Sequence, residues 1–137
     1  MLKRMFLLIA LLAALLVGCQ PTTSKSENSA EQVCKDLLLF KTSFEQLKAM
    51  KGTATPAELD AQWEVVRRNF QNLTQAAANL ETVELSGVDE ALTNLADARD
   101  QMPEDATTDQ ILTELEEELA AVAQSVEQVN TDLKCAG

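Results

Sequence analysis

Apolar residues recur along most of this chain at alternating spacings of three and four. Four stretches carry the pattern. The first is Val33, Leu37, Phe40, Phe44 and Leu47, and the second is Leu59, Trp63, Val66, Phe70, Leu73, Ala77 and Leu80. The third is Leu85, Val88, Leu92 and Leu95, continued by Met102 after an interruption at Arg99; the fourth is Leu112, Leu115, Leu119, Val122, Val126, Val129 and Leu133. This spacing puts one apolar stripe on each of four helices, and no strand-type alternation competes with it.

Helix-start signals agree. Ser29-Ala30-Glu31-Gln32, Thr55-Pro56-Ala57-Glu58 and Thr107-Thr108-Asp109-Gln110 each have capping-box form, a hydroxyl followed three residues later by Glu or Gln. Ser86-Gly87-Val88-Asp89 is a weaker version using aspartate, and Pro56 suits a first helical position. Gly52 marks the end of the first helix and Pro103 stops the third. The reading is helices at about 30–51, 56–81, 87–102 and 108–134, joined by short loops that make neighbours antiparallel. The expected fold is all-α, an up-down-up-down four-helix bundle, with Phe40, Phe44, Trp63 and Phe70 in its core. The third helix is the shortest, which predicts a partly uncovered seam between the second and fourth.

The N-terminal region follows a different pattern. Lys3 and Arg4 precede an uninterrupted apolar run from Met5 to Val17. As a helix this run is about 20 Å long, short of the roughly 30 Å hydrocarbon core of a bilayer, so it reads as a signal peptide and not as a span. Leu16-Val17-Gly18-Cys19 resembles the lipobox of bacterial lipoproteins. The resemblance covers residues 1–19 and implies cleavage before Cys19 and acylation of that cysteine, two or more acyl chains being enough for stable membrane attachment. Gln20 follows, where aspartate would favour inner-membrane retention, so the resemblance implies the outer membrane if the cell has one. The expected organisation is a signal peptide at 1–18, a lipidated cysteine and flexible polar tether at 19–28, and a helical domain at 29–137.

Two cysteines remain. In the expected bundle Cys34, near the start of helix one, and Cys135, at the end of helix four, fall at the same pole on helices that can be neighbours. In an oxidising compartment they form a disulfide; the alternative is two independent buried thiols.

Charge is unevenly distributed. The chain holds 22 acidic and 11 basic residues, and without Lys3 and Arg4 the balance is −13. Residues 19–68 balance at seven of each sign, whereas residues 69–133 hold fifteen acidic residues and only Arg99. This excess argues against nucleic acid and against adsorption to anionic headgroups. Glu114 and the run Glu116-Glu117-Glu118 are expected on an outer face, as a solvated surface or as a docking surface for a cationic partner.

Candidate chemistry is sparse. The chain contains no histidine and no tyrosine, which removes Ser-His-Asp and Cys-His catalysis and His-based metal sites. No phosphate-cradling glycine loop or EF-hand-like calcium loop is present. The expectation is therefore a non-enzymatic protein without cofactor or bound metal. It is read as a lipid-anchored binding or scaffolding module of the bacterial cell envelope, with a basic envelope protein as a candidate partner and an unassigned oligomeric state. The alternative is a carrier of a small ligand or cation, which needs a cavity between the helices.

Overall fold

The structure, a computed structural model, describes residues 25–135, with side chains from Ser29 onward. The described residues form five helices and no strand: α1 (Lys25–Lys48), α2 (Pro56–Ala77), α3 (Ser86–Asp100), α4 (Thr108–Glu114) and α5 (Glu116–Leu133). The closest packing is between α1 and α2, followed by α3 on α5 and α1 on α5, with short α4 against α5.

The four apolar stripes supply most of the core. Val33, Leu37, Phe40, Phe44 and Leu47 are all buried, as are Leu59, Trp63, Val66, Leu73 and Ala77 of α2. Val88, Leu92 and Leu95 meet Leu119, Val122, Val126 and Val129 within the same buried cluster. Burying a side chain of this size contributes about 1.5–3 kcal/mol, so these stripes are the main source of cohesion. The Phe40 ring lies 6.2 Å from Phe44 and 5.5 Å from Phe70, within the range of favourable aromatic pairing. Phe70 and Leu80 are only half-buried at the edge of the cluster.

Two of the capping boxes form as read. Thr55 accepts from the Glu58 N–H while the Glu58 carboxylate accepts from the Thr55 N–H, and Thr107 with Gln110 repeats the arrangement. Pro56 occupies the first turn of α2. The other starts and several ends differ from the sequence reading. Helix α1 already includes Lys25–Asn28, which the sequence assigns to the tether, and Ser29 lies inside it instead of capping it. Nothing between Lys25 and Ser29 is a proline or glycine, and extending a formed helix needs only one more backbone bond per residue. Ser86 is the first residue of α3, not its cap: Leu85 holds the cap position without a side-chain bond, and the Ser86 hydroxyl donates to Glu84.

Helix α1 stops at Lys48, short of residue 51. The following turn directs the N–H groups of Thr53 and Ala54 to the Met50 carbonyl and places Gly52 at φ 77°, a conformation that suits a residue without Cβ. Helix α2 ends at Ala77 instead of 81, because the next turn tightens into a Leu80 N–H to Ala77 carbonyl bond of 2.8 Å. The expected fourth helix is two, interrupted at Leu115 (φ −92°, ψ 10°). Bonds from Leu115 to Ile111 and from Leu119 to Leu115 bridge the interruption. The break sets Glu116, Glu117 and Glu118 in the first turn of α5, where the helix dipole favours carboxylates.

Candidate functional site

Helix α1 places Cys34 directly after core residue Val33, and the end of α5 delivers Cys135 to the same place. Lys134 adopts a left-handed conformation (φ 53°, ψ 38°), and its N–H and that of Cys135 satisfy carbonyls of the last turn. This turn brings the Cys135 Cα to 5.5 Å from that of Cys34, with the sulfurs 1.98 Å apart, so the two are at disulfide distance. Both cysteines are half-buried and line an open groove of about 750 Å³ between α1 and α5. Leu38 is 61% exposed on the same groove. Lys35, Lys41 and Lys134 supply its cations and Glu31 a carboxylate. Lys41 Nζ is 2.9 Å from Glu127, and this ammonium holds the Glu127 carboxyl below the usual carboxylate range, by hydrogen bond first and by charge second. Cys19, with the expected signal peptide and the lipobox-like segment, lies outside the described residues.

The acidic residues singled out by sequence divide in the structure. Glu114, Glu116 and Glu117 are exposed, whereas Glu118 is half-buried and its Oε2 is enclosed without a hydrogen-bond partner among the described residues. An exposed trio with one inward-turning neighbour is a narrower surface than a four-residue face.

A second groove, of about 530 Å³, opens between α2 and α3. Trp63, Phe70, Leu92 and Ala96 form its apolar floor, with Arg67, Gln71 and Thr93 among its polar margins. The sequence expected an uncovered seam between the second and fourth helices; neither α5 nor α3 packs extensively on α2 in the structure, and the open groove on this side lies between α2 and α3, while α3 packs on α5. By contrast, the space enclosed among Leu47, Leu59, Trp63, Leu95, Leu112 and Leu119 is only about 10 Å³.

One cluster was not read from the sequence. Arg99 lies 5.7 Å from the Trp63 ring centroid and pairs with Asp60, joining α3 to α2. Its signal was the interruption of the third stripe: a cation at a core-facing register, in a chain with one tryptophan, has an aromatic face to rest on.

No group of three or more His, Cys, Asp or Glu side chains among the described residues is placed to hold a metal ion, and no described helix is long and apolar enough to cross a membrane. The chain matches no protein-family model, no curated protein and no solved structure.

Proposed function

We propose that this chain is an extracytoplasmic bacterial lipoprotein, held at the membrane through acyl chains on Cys19, whose helical domain is a non-enzymatic binding or scaffolding module. In this reading the helices form an antiparallel up-down-up-down four-helix bundle, with α4 and α5 together serving as its bent fourth member. Support for that arrangement comes from two links, one within α1 and one in the turn that follows it: Cys34 against Cys135, and the Gly52 N–H donating to Asp109. The Cys34–Cys135 bond is assigned to the mature protein, consistent with an exported domain. The outer membrane is the favoured location in a diderm cell.

The observation that carries the binding-module reading is the filled interior. A pocket that takes a small molecule has a volume of about 300–1,000 Å³, far above the 10 Å³ found among Leu47, Leu59, Trp63, Leu95 and Leu112. A carrier would have to use an open groove, so recognition by the outer surface is the better-supported role. The exposed carboxylates Glu114, Glu116 and Glu117 favour a basic envelope protein as the partner. Two experiments test the two parts of the proposal. Cys19→Ala should abolish incorporation of labelled palmitate and sedimentation with membranes; unchanged labelling removes the anchor. Capture of a basic envelope protein by residues 20–137 should be lost when Glu114, Glu116 and Glu117 are all changed to Gln. Capture that persists through the triple change removes the acidic docking surface.

A further inference from the structure

We propose that the Cys34–Cys135 pair is a thiol–disulfide exchange site, open in the folded protein to the thiolate of a dithiol reductant. The proposal rests on the bond assigned above and gives it a role beyond holding α1 to α5. Structural disulfides resist reduction when packing keeps thiolates from the sulfurs, whereas exposed ones are the labile or regulatory kind. Here both cysteines are half-buried and form part of the wall of a 750 Å³ open groove. This groove is larger than the one between α2 and α3, and it is the side from which a thiolate would approach.

Charge around the sulfurs is the second argument. Lys35 follows Cys34 and Lys134 precedes Cys135, so each cysteine has a lysine as its chain neighbour. Both lysines are exposed, and neither is in an ion pair among the described residues, unlike Lys41, which Glu127 neutralises. This pairing of cation and sulfur occurs in a chain of net charge −11 whose acidic half holds one arginine. Lys35 and Lys134 line the same groove as the two cysteines, with Glu31 as its carboxylate. Ammonium groups on that wall would stabilise the negative charge that an attacking thiolate brings and a departing thiolate carries away.

The reaction balances with a dithiol as co-reactant. Its thiolate bonds to one protein sulfur while the S–S bond breaks and the electron pair leaves on the other cysteine. The second thiol of the reductant then attacks the mixed disulfide, closes its own ring disulfide and expels the first cysteine as thiolate. Both protein thiolates take up protons, so the reductant is oxidised by two electrons and the protein gains two thiols. The product frees the Lys134–Cys135 turn from α1 while leaving the Lys41–Glu127 pair available.

The test uses the full mature chain in detergent, with dithiothreitol as the probe and thiol release as the readout. Mass spectrometry of the starting protein must first find the Cys34 and Cys135 peptides linked; free thiols at both positions overturn the pairing and the exchange site together. With the bond present, reduction of folded protein should be proportional to dithiothreitol concentration. A rate independent of that concentration and equal to the unfolding rate overturns the exchange site and leaves the disulfide standing. Lys35→Gln with Lys134→Gln should slow reduction by about fivefold at low ionic strength and by little at about 1 M salt. Lys35→Arg with Lys134→Arg should retain the parent rate, and Lys48→Gln, near the other end of α1, should leave it unchanged. Equal slowing by Lys48→Gln would overturn the role of the two neighbouring lysines.

Discussion

Helices α1 and α2 hold every aromatic side chain among the described residues, and residues 19–68 balance their charges; helices α3 to α5 pack leucine, valine, alanine and Ile111, and residues 69–133 carry fourteen more acidic than basic residues. The two regions meet through contacts in which one side often supplies what the other lacks. Lys41 of α1 pairs with Glu127 of α5, and Arg99 of α3 pairs with Asp60 of α2 while lying over Trp63. Exposed ion pairs of this kind are worth about 0–1 kcal/mol, against about 1.5–3 kcal/mol for burying one large apolar side chain. Cohesion therefore lies in packing, concentrated in the aromatic region. The acidic surplus of the other region is not what holds the fold together, and it can be spent on recognition.

Truncating the core is the strongest test of that contrast. Phe40→Ala should cost about 3–5 kcal/mol in denaturant unfolding, and Leu95→Ala in the aliphatic region about 2–4 kcal/mol. Equal losses would mean that the rings add nothing to the α1–α2 side. Next in size is the link between the regions. Cys34→Ser with Cys135→Ser should lower stability by about 2–4 kcal/mol, measured with and without reductant; a loss that reductant fails to reproduce in the parent chain would argue against a bond.

The two capping boxes compare the regions at matched chemistry. Thr55→Ala should cost about 1 kcal/mol, and Thr107→Ala less, since it caps a seven-residue helix and not a 22-residue one. The Thr55 box should also weaken in acid. Hydrogen bonds from the Thr55 backbone and then from its hydroxyl hold the Glu58 carboxyl below its ordinary value. A depressed carboxyl stabilises the fold above its unfolded-state pKa, and that contribution disappears as pH falls through the lower folded-state value. Gln110 does not titrate, so the Thr107 box should be insensitive over the same window, and local helicity in α2 should soften first. Smallest of all, Glu116→Gln with Glu117→Gln should move stability by less than about 0.5 kcal/mol while weakening capture of a basic partner. A larger change in stability would show that the first-turn carboxylates belong to the fold as well as to the surface.

The helical class, the four apolar stripes and the capping residues Thr55 and Thr107 were legible in the sequence, because burial and capping act through fixed local spacings. The approach of Cys34 to Cys135 was legible too, as an expectation, since the expected bundle puts the two cysteines at one pole. What escaped depends on partners far along the chain or on competition within a turn. The interruption at Leu115 leaves no mark on a stripe that continues through it with apolar residues at 112, 115 and 119. Ser29 reads as a cap by itself, but nothing before it forces the helix to begin there. The groove between α2 and α3 depends on how helices divide contacts among themselves, which no single stripe encodes. The inward turn of Glu118, beside exposed Glu116 and Glu117, likewise lies below what a run of three identical letters can tell.

The position of the two cysteines also decides how the molecule carries tension. Cys34 and Cys135 are separated by 101 positions and enclose nearly the whole described chain. With their sulfurs joined, a pull applied between an N-terminal attachment and the C-terminus passes from α1 across the sulfurs and out, bypassing everything between. About 350 Å of contour is then withheld from extension, at roughly 3.5 Å per stretched residue. A partner tugging on the surface of α4 or α5 loads that closed ring instead, and helices can be peeled from it while the molecule stays tied to its point of attachment. Reduction of the one bond would remove the bypass and put α2, α3 and α4 in series with the load.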